Sequence, residues 1–193
     1  TDQRERRVFV AKPRADTSHG GGRGRGVSVS FDTILALDPG PTETALVILG
    51  NPPEERIPAR FLPNETLREY LRGLHQREDW LLAVEWLECQ GAVVGAETFF
   101  TAMWIGRFVE AWGAPYVLVP RRAVKLYLCA STRAKDPHVR AAVIQRLGEP
   151  GTAKKPGPTR GLTGHMWQAA GVALVTAASI WGKDGPALAV REP

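Results

Sequence analysis

The stretch ILALDPGPTETALVIL, residues 34–49, sets two β-rich apolar runs on either side of a Pro/Gly turn. Runs this short, bounded by turn residues, predict a hairpin of two strands buried in a sheet. The first run ends in an acid, Asp38, where the turn begins. Either that carboxyl holds a metal ion or it merely starts an Asp-Pro-Gly turn.

The segments that follow extend the sheet and cover it. IPARFL supplies a third strand, and NETLREYLRGLHQ carries Leu67, Tyr70, Leu71 and Leu74 at helical spacing behind Asn64, an N-cap residue. LLAVE is a further apolar strand ending in Glu85. From about Ala96 to Trp112 the residues Ile105, Phe108, Val109 and Trp112 form one helical stripe, which Gly113 stops. YVLVP returns as a strand, and PRRAVKLYL reads as a helix begun by Pro120. DPHVRAAVIQRLG predicts a helix with Asp136 as N-cap, Pro137 at its first position and Gly148 past its end. A Gly/Pro/Lys loop, EPGTAKKPGPTRGLTG, leads to a last helix beginning near His165. Strands first, then alternating helix and strand, make an α/β chain without internal repeats.

Length and composition bound the function. The chain has 193 residues, enough for one core-forming domain over 31–193, and a net charge of +5 that suits a polyanionic partner. Residues 1–30 mix Arg, Ser and Gly without a period that could bury a face. They predict a flexible basic arm that either tracks phosphates through Arg4, Arg6, Arg7, Arg23 and Arg25 or is a solubilising tail. Cys89 and Cys129 have no metal-ligand spacing and read as reduced thiols. No signal segment is visible, and the apolar run in MWQAAGVALVTAASIW is too short for a membrane span, so a soluble, cytoplasmic protein is expected.

Two acids at strand ends carry the chemistry. Adjacent parallel strands of an open α/β sheet bring their C-terminal ends together in a crevice, so Asp38 and Glu85 can converge there. Converging carboxylates repel unless a cation neutralises them, and a hard divalent ion leaves positions open for a phosphate oxygen and an attacking water. Otherwise Glu85 is an ordinary strand-end acid facing water. Basic residues follow the sheet core: Arg121, Arg122, Lys125, Arg133, Lys135 and Arg140, then Lys154, Lys155 and Arg160 in the loop. Such a cluster neutralises DNA phosphates without reading sequence, or is a solvated helix face.

These segments, in this order, resemble the RuvC-type Holliday junction resolvases, and in VVGAETFFTAMWIGRFVEAWG and GLTGHMWQAAGVALVTA their phage-encoded branch. ILALDPGPTETALVIL is similar to the family's first hairpin with its acid at Asp38, and LLAVEWLE to its second acidic motif, with Glu85 at the glutamate. VPRRAVKLYL resembles the P-x-x-V-K segment with Lys125 at the lysine, AKDPHVRAAVIQRL the basic helix start after it, and HMWQAAGVALVTA the closing helix. The resemblance covers roughly residues 33–181. It implies an α/β ribonuclease H-like fold, a mixed central sheet with antiparallel first strands and helices on both faces. It further implies a homodimeric endonuclease that uses Mg²⁺, or Mn²⁺, to cut branched DNA, above all four-way junctions, leaving 5′-phosphate and 3′-hydroxyl ends. Asp38, Glu85 and His165 would be its catalytic and metal-binding residues, with Arg121, Arg122, Lys125, Lys135, Arg140, Lys154, Lys155 and Arg160 on the DNA.

The chain also departs from the family pattern. Where relatives carry two acids three residues apart on the last helix, it has His165 and Gln168, which share a helix face but not the charge. Gln168 either orients a water or coordinates weakly, or is a plain exposed helix residue. Glu88 and Asp136 are candidate replacements for the missing acid. Glu88 also stands where such resolvases can present an apolar wedge; Trp86, Phe99 and Phe100 could substitute, though core packing is the expectation for all three. A junction-binding protein that has lost catalysis is the rival reading. A sugar-kinase or actin-like ATPase would need nucleotide motifs that the sequence lacks.

Overall fold

The computed structural model describes residues 30–74, 77–88, 94–182 and 185–193. Five strands, β1 (Thr33–Pro39), β2 (Glu43–Gly50), β3 (Ala59–Pro63), β4 (Trp80–Trp86) and β5 (Tyr116–Pro120), form one sheet in the order β3-β2-β1-β4-β5. The β1–β2 and β2–β3 pairs are antiparallel, whereas β1–β4 and β4–β5 are parallel. The first strands are therefore antiparallel, as the sequence predicts. All but the last residue of the 1–30 arm, and Cys89, lie outside the described residues.

The side-chain period of two splits β1 and β4 between two cores. Leu35, Leu37, Leu82 and Val84 pack under α1 (Asn64–Leu74) and α2 (Ala96–Trp112), against Leu67, Leu71, Ile105, Phe108 and Trp112. Ile34, Ala36, Leu81 and Ala83 face the opposite way, under α3 (Arg121–Cys129), α4 (Asp136–Leu147) and α5 (Met166–Ile180). Phe108 is fully buried, and truncating such a residue to Ala costs roughly 3–5 kcal/mol. Gly171 lets α5 lie close to α3: a Cβ there would stand 3.0 Å from Val124 Cγ1 and 3.3 Å from Leu128 Cδ1. Helices thus cover both faces, as expected. None of the helices among the described residues is long and apolar enough to cross a membrane.

Three local expectations are corrected. Asn64 opens α1, but its side chain serves the β1–β2 turn: Nδ2 donates to the Gly40 carbonyl and Oδ1 accepts the Thr44 hydroxyl, 3.0 and 2.7 Å away. Burial of both residues makes these bonds stronger claims on the amide than an exposed helix end. The turn itself needs Gly40, because a Cβ there would lie 2.6 Å from the Glu43 carbonyl oxygen. Asp136 is not the N-cap of α4. Lys135 holds that place, and the ring Nδ1 of His138 accepts its backbone N–H at 3.1 Å, while the Asp136 carboxylate is drawn to Arg121. Finally, Trp86, Phe99 and Phe100 are not core residues, being 39%, 68% and 54% exposed. The buried stripe of α2 runs through Thr101, Trp104, Ile105 and Phe108, which turns both phenylalanines outward together with Met103.

Candidate active site

Asp38 and Glu85 come together because two strands share one parity. Asp38 follows Ile34 and Ala36 at steps of two, and Glu85 follows Leu81 and Ala83, so both carboxyls point to the α5 face. The β1–β4 register pairs Leu37 with Val84, which makes Asp38 and Glu85 the next residues on the two strands. Beyond their tips Gly164, with φ of +47°, turns the chain into α5 and presents His165 as its N-cap residue. His165 Nδ1 stands 2.8 Å from Asp38 Oδ2. An ionised Asp38 can only accept, so Nδ1 is the donor in this contact.

Burial governs the electrostatics. Asp38 and Glu85 are 8% and 6% exposed. Burial pushes the Glu85 carboxyl up to about 8, helped by the charge of Asp38 beside it and opposed by Arg121. Asp38 is also raised by burial, while the charge of Arg121 pulls it down.

Arg121, at the start of α3, reaches over this pair. Its Nη1 is 3.0 Å from Glu85 Oε1 and its Nη2 is 2.9 Å from Asp136 Oδ1. A small cleft between Glu85 and Gln168 is lined by Arg121, Val124, Lys125 and Val139. Gln168 sits one turn into α5, 8% exposed, which rules out the plain exposed helix residue. Two buried oxygens here, Glu85 Oε2 and Gln168 Oε1, have no hydrogen-bond partner. Orphaned buried acceptors are costly, and a hard divalent cation satisfies oxygen donors of this kind. Among the described residues, no group of three or more His, Cys, Asp or Glu side chains is already arranged around a metal-sized position. The donors that stand at this end of the sheet are thus mixed: two carboxyls, an imidazole and an amide oxygen.

The basic residues divide into paired and unpaired. Arg121 is tied to carboxylates, and Arg122 Nε stands 3.0 Å from Glu88 Oε1, which accounts for Glu88 as a surface partner. Arg140 lies over the Trp167 ring, 4.9 Å from its centroid, and Arg160 donates to the Gly151 carbonyl at 3.4 Å. Lys154 and Lys155 are exposed on a loop closed by the Gly151–Pro156 bridge, where the Lys155 N–H donates to the Thr152 hydroxyl. On α1 and α2, by contrast, Arg68, Arg72 and Arg107 pair with Glu65, Glu69 and Glu110. Lys125, Lys135, Arg140, Lys154, Lys155 and Arg160 have no carboxylate within 4.0 Å among the described residues, so this group on α3, α4 and the loop leading to His165 carries positive charge that no acid neutralises. What sequence reasoning missed is the bridge through Arg121. Only the position of the arginine just after a strand ending beside Glu85 could have signalled it.

No family model and no curated protein matches the chain. Solved structures do. Thermus thermophilus RuvC is 18% identical, covering 83% of this chain and 99% of that one with a TM-score of 0.56. T. thermophilus RuvC in complex with a Holliday junction substrate gives 16% identity, the same coverage and a TM-score of 0.58. At such identities the likeness establishes the fold, a mixed-sheet α/β architecture of the ribonuclease H-like, RuvC-like kind.

Proposed function

We propose that the chain is a metal-dependent endonuclease that cuts branched DNA, foremost four-way junctions. The reading is carried by one observation: Asp38, Glu85 and His165 converge at the ends of β1, β4 and the start of α5, with buried oxygens left open toward a cation. The RuvC structure solved with a Holliday junction supports the substrate class, and the unpaired basic residues around the site support DNA as the partner.

Asp38 and Glu85 would hold Mg²⁺ or Mn²⁺, with His165 through Nε2 and Gln168 through Oε1 completing the set. The ion, when bound, supplies a Lewis acid for the phosphate and a water of lowered pKa. Asp38 would fix the ring of His165 by accepting from Nδ1, which leaves Nε2 one of two roles: to ligate the ion or, where it does not, to take a proton from the attacking water. Glu85 would hold the ion in its ionised form. Lys125, beside Glu85 and Gln168, neutralises the phosphate, while Lys154 and Lys155 hold the flanking backbone. Hydrolysis in line would leave a 5′-phosphate and a 3′-hydroxyl.

Paired cuts need two sites related by a two-fold axis, hence a homodimer. Phe99, Phe100 and Met103 form an exposed apolar face on α2, the kind of surface that a second copy covers. A phage role in clearing branches from replicated DNA follows from the resemblance alone. The test is to compare an end-labelled four-way junction with linear duplex of the same sequence in Mg²⁺ and in Mn²⁺. Metal-dependent nicks confined to the junction support the proposal. Tight junction binding without cutting in either metal favours the rival, a branched-DNA-binding protein whose catalysis is lost, for which the neutral Gln168 is the specific argument.

A further inference from the structure

Arg121 already stands as a fixed cation against one of the buried acids, Glu85. It is the first residue of α3 and is carried by the end of β5 to the rim that Glu85 shares through the β4–β5 pair. Its guanidinium bridges inward to a carboxylate 7% exposed, Glu85, and outward to one 62% exposed, Asp136, while itself 40% exposed. A guanidinium cannot lose its proton in a protein, so its charge leaves a site only if the side chain moves. Here it satisfies Glu85 Oε1 alone, since Oε2 remains without a partner. An arginine and a divalent ion compete for the same carboxylate and repel each other, with little solvent between them to screen the repulsion.

We propose, resting on the metal-dependent reading above, that Arg121 is an exchangeable counter-ion for the metal. In the metal-free protein it donates to Glu85 and offsets the charge of the Asp38–Glu85 pair. On loading it gives Glu85 over to the ion, keeps its hold on Asp136, and turns the freed Nη1 hydrogens toward a DNA phosphate beside the site. Asp136 is then the tether that keeps the released guanidinium at the rim, and its displacement from the N-cap position of α4 has a function. Arg121 is a positioning residue for the metal and a phosphate contact only in the loaded state. The arrangement spares the protein two unshielded buried acids before metal arrives, and delivers a positive charge to DNA when it does.

The test uses the full chain without DNA, titrated with Mn²⁺ at pH 8 and read by the electron paramagnetic resonance signal of the free ion. Native protein, Arg121→Gln, Arg121→Lys and Asp38→Asn are compared, with folding checked by circular dichroism. Removing the competing charge should tighten Mn²⁺ binding by about fivefold or more in Arg121→Gln, whereas Arg121→Lys should stay within about twofold of native. In Ca²⁺, Arg121→Gln should also lower the salt slope of junction binding by about one unit, with a smaller change in EDTA, where Arg121 is held by Glu85. Equal or weaker Mn²⁺ binding by Arg121→Gln, with binding abolished by Asp38→Asn, makes Arg121 a fixed strut and overturns this proposal while leaving the metal site intact. Absence of Mn²⁺ binding by both native protein and Arg121→Gln overturns the metal site and this proposal together.

Discussion

His165 Nδ1 and Asp38 Oδ2 stand 2.8 Å apart although 127 residues of chain separate them. The contact joins the end of the first strand to the start of the last helix, so the imidazole is aimed by the fold's two most distant described elements. Replacing His165 with Ala removes that aimed base and leaves the two carboxyls in place. Single-turnover cutting of a junction in Mg²⁺ should fall by about 10²- to 10⁴-fold, the usual worth of a positioned base, with junction affinity in Ca²⁺ unchanged. A parallel loss of affinity would assign His165 to DNA binding instead.

Glu85 makes stability depend on pH in the metal-free protein. Its folded-state value of about 8 lies above the ordinary 4.5, so between those values the folded state binds more protons than the unfolded one. The stability linked to that proton is complete below about pH 4.5 and is lost as pH rises through about 8. In EDTA, the melting temperature of native protein should therefore fall relative to Glu85→Gln as pH is raised from 5 to 8.5. Identical profiles for the two proteins would show that Glu85 is ionised throughout.

Gln168 puts a neutral amide at a buried position next to Glu85. A mixed donor set holds Mg²⁺ weakly and accepts Mn²⁺ more readily, since Mn²⁺ tolerates imidazole better. Gln168→Asp should lower the Mg²⁺ concentration for half-maximal cutting by several-fold, on the order of what one added charge contributes at short range. Superimposable metal titrations would place residue 168 outside the metal's reach.

Lys154 and Lys155 offer the least encumbered charges near the start of α5. Their double replacement by Ala should weaken binding to junction and duplex alike, and reduce the salt slope by about one unit per lost phosphate contact. An unchanged slope would put the loop away from DNA.

Much of this was legible in the chain because it rests on local pattern. The hairpin around Asp38 follows from two apolar runs and a turn that Gly40 alone allows, and the Ala96–Trp112 helix from its stripe and its glycine stop. Glu85 was legible as a strand-end acid, and strand parity then fixes its face. What escaped depends on which surfaces meet. Asp136 has the sequence of an N-cap, and the pull of Arg121 from another element overrode it. Asn64 has the same signature, yet Thr44 and Gly40 claim its amide from across the sheet. Phe99 and Phe100 read as core because hydrophobicity says nothing about which face of α2 the sheet covers.

The most direct measurement incubates a mobile four-way junction, labelled in turn on each strand, with native protein and with Asp38→Asn in Mg²⁺ and in Mn²⁺, scoring nicks and binding on the same samples. Native protein should give symmetric, ligatable nicks in opposing strands and Asp38→Asn none, while Asp38→Asn binds as tightly as native or more tightly, since less negative charge faces the phosphates. Cutting by a clean preparation of Asp38→Asn at the native rate, or cutting that ignores the junction, would contradict metal-dependent junction cutting at Asp38.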